Sequence, residues 1–411
     1  MAEIISLAER LAARARSTHP AERPVVVVQS VRVREGHSLA RLLATLSGGT
    51  VVSIPSKEAS DCWSCSVRQA LEDRLLPMAQ EATHPLRPIW LVTPVDADPW
   101  ATVDAFGPDQ PLYQAGFRVR SFVSAMGADR LLHDWVSTRR IGHDRQVPLV
   151  EAMADQIDFT DAVVLSGTGL ETPAAAEFLR SLNTRAEILG RSEVTSEWAR
   201  QLTSRDFLSE RTANGAVWRL GLQFSKHAQP GQVFRRARPF HPERFYQLVR
   251  RWPEQLLRSE GIAWIASETD VAFTITQAGP RLFDCSGDGY WLATLPADEL
   301  QQARQEHPEA FQHWNPETGD RMTELAFAWD CHESRLLHSE SFFSELDRCL
   351  LSDFEMHLDW TRFRDPFREE REKEWARSEK RRTRKPHFKS LHSVGHHTGE
   401  PTNGNTQEKD L

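Results

Sequence analysis

The chain has 411 residues, of which 40% are hydrophobic and 26% charged, with a net charge of −8. That length exceeds one ordinary core and predicts two domains and a tail. No apolar run reaches the roughly 18–20 residues of a membrane span, the first 23 residues lack a signal-peptide core, and five cysteines do not suit a disulfide framework, so a cytoplasmic protein without a membrane partner is expected.

In chain order, residues 1–23 read as a short amphipathic helical extension. Val25-Val26-Val27-Val28 is a β-branched run suited to a strand buried on both faces. A loop over 30–38 and an apolar-periodic helix through Leu39, Leu42, Leu43 and Leu46 should follow. Strands are predicted at 51–54, 89–92, 119–123 and 162–165, and helices at 65–78 and 148–157. Such alternation implies a parallel sheet covered on both faces, here spanning residues 24–220. Beyond it the pattern becomes α+β over 230–367. Strands are predicted at 233–238, 262–266, 271–276 and 325–329, and helices at 241–257 and 342–351. From 368 the apolar content collapses, and a disordered basic, histidine-containing tail is expected.

The first strand–loop–helix unit is where a phosphate-binding loop, G-x-x-x-x-G-K-[ST], would sit. Its glycines free backbone N–H groups to wrap phosphates, its lysine neutralises charge, and its hydroxyl holds Mg²⁺. The segment reads Ser30-Val31-Arg32-Val33-Arg34-Glu35-Gly36-His37-Ser38. One glycine remains, His37 replaces the lysine, and Glu35 would repel a phosphate. Gly36, His37 and Ser38 are thus candidates for a degenerate nucleotide site, the alternative being an ordinary strand–helix connection. Cys62 and Cys65 form a C-x-x-C pair that can supply one edge of a Zn²⁺ site and needs further ligands, with His37 a candidate. Unligated thiols and a redox dithiol are the alternatives. Cys349 lies in an apolar helix and suits a core, as His241 suits a helix start.

Asp61-Cys62-Trp63-Ser64-Cys65-Ser66-Val67-Arg68 resembles the G-C-x-C-C-x-[VI]-R motif of the CobW-like metallochaperone GTPases. Thr93 to Pro99 resembles that family's E-x-x-G-x-x-x-P segment, and Asp155 to Leu165 its E-Q-I-x-x-A-D-x-[IV]-[IV]-L strand. Phe234-Arg235-Arg236-Ala237-Arg238-Pro239 and Cys349-Leu350-Leu351-Ser352-Asp353 resemble its C-terminal domain. The resemblance implies a P-loop-NTPase-like α/β domain followed by a smaller α+β CobW C-terminal domain. The family's guanine-reading N-K-x-D is replaced by Ser166-Gly167-Thr168-Gly169. With the lysine also missing, no residue set is expected to catalyse GTP hydrolysis, and GTP with Mg²⁺ is a doubtful ligand. Transient zinc is the implied metal. Some actinobacterial members with these departures recruit a ribosome hibernation factor when zinc is short, which implies the ribosome or that factor as partner.

Between Arg377 and Lys389 the chain carries +6, leaving −14 elsewhere. Arg377, Lys380, Arg381, Arg382, Arg384, Lys385 and Lys389, with Trp375 and Phe388 nearby, could contact rRNA through phosphate and base stacking. A solubilising tail is the alternative.

Overall fold

In the computed structural model, Val25 to Val28 are fully buried at the centre of a six-stranded sheet. The structure describes residues 22–55, 63–80, 87–142, 146–167, 171–205, 233–253, 255–280, 282–306, 308–311, 314–329 and 335–373. The sheet comprises β1 (Arg23–Gln29), β2 (Thr50–Ser53), β3 (Ile89–Val92), β4 (Phe117–Gly127), β7 (Ala162–Ser166) and β8 (Glu187–Gly190). Every neighbouring pair is parallel, in the order β2-β3-β1-β4-β7-β8. A two-residue ladder, β5 (Arg140–Ile141) with β6 (Val147–Pro148), stands apart from it.

Strand alternation sends Val25 and Val27 to one face and Val26 and Val28 to the other. The first pair packs with Val67, Leu71 and Leu75, a one-face stripe of α2 (Trp63–Gln80). The second pair meets Leu39 and Leu43 of α1 (Val33–Ser47), together with Trp198 and Leu202 of a later helix. Each buried aliphatic side chain contributes about 1.5–3 kcal/mol. Between the strands lie α3 (Pro99–Asp104), α4 (Pro111–Gln114), α5 (Ala128–Trp135), α6 (Leu149–Phe159), α7 (Glu171–Leu182) and α8 (Ser196–Ser204), the helix that carries Trp198 and Leu202.

The second sheet is antiparallel, in the order β12-β11-β10-β13-β9. Its strands are β9 (Val233–Arg236), β10 (Leu256–Trp264), β11 (Val271–Ala278), β12 (Leu282–Tyr290) and β13 (Thr323–Trp329). The accompanying helices are α9 (Pro242–Val249), α10 (Ala297–Glu306) and α11 (Arg335–Cys349). Phe240 stacks on Phe245 at 4.1 Å and on Phe234 at 6.1 Å, and Phe327 meets Phe342 edge-on at 5.4 Å. Burial in this aromatic core pushes the Cys349 thiol up to about 11. It is a core residue, as expected.

The two sheets share a core. Ala278 and Ala328 of the second pack with Trp135, Leu149, Met153 and Phe178 of the first. Gly279 has φ +59°, and a Cβ there would lie 2.5 Å from the Trp135 carbonyl, so only glycine permits this approach. The chain divides between Asp365 and Pro366 into two compact units, and residues 366–373 of the second are helical. No helix among the described residues is long and apolar enough to cross a membrane.

Two expectations are corrected and one strand is added. The loop over 30–38 shrinks to Ser30–Arg32, because α1 begins at Val33. The helix over 241–257 stops at Val249. Trp252-Pro253 interrupts it, and Leu256 already begins β10. The Gly- and Asp-containing β12 has no strand-like composition yet completes the second sheet.

Candidate functional site

In an open α/β sheet, ligands bind beyond the carboxyl ends of the strands, where successive connections diverge. Here that place is the end of β1, flanked by β3 and β4. Gln29 closes its floor, donating to Ser124 Oγ at 3.0 Å and to the Gln156 carbonyl at 2.8 Å. Ser30 donates to the Ala125 carbonyl at 2.8 Å and accepts from the Arg32 N–H at 3.1 Å. The turn into α1 is thereby fixed by its own side chains.

The crevice holds a charge network. Arg32 Nη2 lies 2.5 Å from Asp134 Oδ2 on α5, and Arg32 Nε lies 3.8 Å from Glu35 Oε1. Arg139 and His133 also face Asp134, at 4.0 and 3.5 Å. The Glu35 carboxylate turns toward the end of β4, where a Cβ on Gly127 would lie 3.2 Å from Oε1 and 2.9 Å from Asp129 Oδ1. Glu35 Oε2 is buried without a hydrogen-bond partner, and burial holds this carboxyl above the usual range. A cavity of about 300 Å³ remains, lined by Arg34, Glu35, Ser38, Leu39, Ala125, Val164, Ser166 and Arg191.

The three nucleotide-site candidates all lie within α1. Gly36 is buried, and the N–H of Gly36 donates back to the Arg32 carbonyl at 3.2 Å. His37 Nδ1 is 2.9 Å from the Val33 carbonyl, which can only accept, so this nitrogen carries a proton. His37 Nε2 is 2.9 Å from Ser53 Oγ at the end of β2. Ser38 Oγ accepts from Arg191 Nη2 at 3.0 Å. The hydroxyl that would hold Mg²⁺ in a phosphate loop therefore faces a guanidinium.

The other candidates are only partly visible. Cys65 falls in the first turn of α2, but its side chain, like all of Cys62, lies outside the described residues. So do Thr168, Gly169 and the basic arm from Arg377 to Lys389. No group of three or more His, Cys, Asp or Glu side chains suited to a metal ion occurs among the described residues. Asp96, in the segment resembling E-x-x-G-x-x-x-P, is buried. His241 caps α9, and its ring lies 4.7 Å from Phe363, the structural place expected for it.

Asp134 and Arg191 hold the contacts to Arg32 and Ser38, and sequence reasoning did not identify either. The pairs Arg32–Asp134 and Ser38–Arg191 join positions 102 and 153 residues apart, so no local pattern announces them.

Comparison with known proteins adds a domain match and distant relatives. Residues 231–350 match the family described as the cobalamin synthesis protein cobW C-terminal domain. The chain is 27% identical over 353 residues to zinc chaperone Rv0106 of Mycobacterium tuberculosis, covering 81% of this chain and 84% of that protein. An uncharacterized protein of Mycobacterium bovis matches to the same extent. Among solved structures, the Zn(II)-bound YjiA GTPase from E. coli aligns over 80% of this chain and 99% of its own, at 12% identity and a TM-score of 0.31.

Proposed function

We propose that this chain is a CobW-like protein of zinc homeostasis that has given up nucleotide hydrolysis and acts as a non-catalytic adaptor. The observation that carries this reading is the charge arrangement at the end of β1, where a carboxylate and, among the described residues, no lysine lines the cavity. Glu35 lines this cavity, Arg32 is held by Asp134, and Ser38 accepts from Arg191. Two unit charges of like sign about 4 Å apart cost on the order of 1–4 kcal/mol at effective dielectric constants of 80 to 20. A triphosphate entering beside Glu35 meets that repulsion, with Arg34 and Arg191 in place of the phosphate-loop lysine as the cations lining the cavity.

The zinc part of the reading draws on the relative named a zinc chaperone and on the Cys62/Cys65 pair. In this account the pair samples zinc transiently in the cytoplasm. When zinc is scarce, the protein recruits a ribosome hibernation factor, with the arm from Arg377 to Lys389 on rRNA. Ribosome co-sedimentation tests this directly. The chain should sediment with ribosomes from zinc-starved cells and not from zinc-replete cells, and a Cys62→Ser/Cys65→Ser variant should lose the difference. Absence from ribosomes in both conditions would remove the adaptor role.

The name of that same relative also favours zinc delivery, and a second reading is a zinc metallochaperone that uses GTP through a rebuilt nucleotide loop. That alternative requires Mg²⁺-dependent nucleotide binding at the crevice.

A further inference from the structure

A second cavity lies along α1 beside the crevice and shares Arg34, Ser38 and Arg191 with it. Its volume is about 660 Å³, and it is lined by Val33, Arg34, His37, Ser38, Arg41, Leu42 and Thr45 of that helix and by Arg191. The α1 residues form one stripe, recurring at three- and four-residue steps over successive turns. Arg191 arrives from the end of β8, 153 residues from Ser38, and is anchored by donating to Ser38 Oγ and to the Ser38 carbonyl, at 3.0 and 3.3 Å.

The charge of this groove is one-sided. Among the described residues, three guanidiniums line it and no carboxylate does. Arg34, Arg41 and Arg191 are all exposed, and none has a carboxylate partner among the described residues. The one acidic side chain of α1, Glu35, lines the adjoining cavity with Arg34 and Arg191, and its carboxylate is turned toward Arg32 and Gly127. By contrast, the arginines around the C-terminal-domain cavity at Arg236, Arg238 and Arg244 pair with Asp347, Asp353 and Glu355. In a chain of net charge −8, three unneutralised arginines converging from two elements are a local reversal of sign. Guanidinium forks match the paired oxygens of phosphates and hold them by charge-assisted bonds.

We propose that Arg34, Arg41 and Arg191 form a metal-independent binding site for phosphoryl groups, with the Ser38 and Thr45 hydroxyls at its wall. The site uses side chains along the helix rather than a wrapped backbone loop, so neither a lysine nor Mg²⁺ is needed. Its basis is independent of the zinc and adaptor readings. Two sources carry this chemistry, a small soluble phosphate and the backbone of an RNA strand.

The test uses the full chain and its Arg41→Gln and Arg191→Gln variants, with Arg362→Gln as a control far along the sequence. Pyrophosphate binding is measured calorimetrically without Mg²⁺, and binding of a labelled single-stranded oligoribonucleotide is followed across a salt series. A small-phosphate site predicts that each groove variant weakens pyrophosphate binding by about tenfold while the control does not. An RNA-backbone site predicts that the slope of log affinity against log salt falls by about 0.7 for each guanidinium removed. That slope separates loss of a phosphate contact from loss of fold, and unchanged melting of the variants checks the same point. Either result supports the site. Unchanged binding of both probes in the variants, binding that needs Mg²⁺, or equal displacement by polyglutamate would overturn it.

Discussion

Replacing Arg258 by methionine is expected to lower stability by about 3–5 kcal/mol, because it strands buried carboxylates. Arg258 lies on β10 with its side chain 3% exposed, 2.9 Å from Asp158 on α6 and 3.2 Å from Glu260. It also donates to the Gln277 carbonyl at 3.2 Å, and Asp155 lies within its field. One guanidinium thus serves three carboxylates and ties α6 of the first sheet to the second sheet. Chemical denaturation of the variant at pH 6 and pH 8 measures the loss. It should be larger at pH 8, since at pH 6 the stranded carboxyls can take up protons.

The same cluster sets a pH dependence in the unaltered protein. Burial, partly opposed by Arg258, raises Asp155 to about 7, with Asp158, Asp98 and Glu151 adding to the rise. Glu260 is raised by burial in the same way, against Arg258 and with Asp158 and Asp155. A carboxyl raised in the folded state binds its proton more tightly there than in the unfolded chain. Its contribution is therefore retained below the unfolded value, near 4, and lost as pH climbs through the folded value. Stability should fall as pH rises from about 4 to about 8, and Glu260→Gln should flatten the decline at its alkaline end. At the acid limit Glu355, held at about 2 by Arg244, acts in the opposite sense.

Gly261→Ala is expected to cost about 2–4 kcal/mol, for a reason of backbone geometry. Gly261 has φ +150° in the middle of β10, and an added Cβ would lie 2.1 Å from the Glu324 carbonyl oxygen on β13. Neither backbone can yield without breaking the pairing of β10 with β13, the strand whose other side carries β9. Thermal melting measures this, and substitution of Gly289, whose added Cβ would meet Ala272 at an ordinary 3.7 Å, is the tolerant comparison.

The parallel sheet was legible because local composition determines it. A run such as Val25 to Val28 buries both faces only when helices cover each side. The second sheet was legible in part. Phe273 and Ile275 alternate as a strand should, whereas β12 is held by pairing with β11 and not by its own residues. At the site, the unfit chemistry of Glu35 and His37 could be read directly. The charge partners beside the crevice could not, because Asp134 and Arg191 arrive through tertiary packing. The helical start at Val33 was missed for a related reason. The Ser30 and Arg32 contacts that shorten the loop depend on Ala125 and Asp134.

The central claim is that the crevice at the end of β1 no longer serves a Mg²⁺-bound nucleotide. Titrating the full chain with fluorescent GTP, with and without Mg²⁺ and beside an ATP analogue, tests it most directly. The structure leads us to expect no saturable, Mg²⁺-dependent binding in the micromolar range and no preference for guanine. Binding that Arg41→Gln removes and Mg²⁺ leaves unchanged would belong to the arginine groove. Micromolar, guanine-selective affinity that appears only with Mg²⁺ would contradict the account and establish a working nucleotide site.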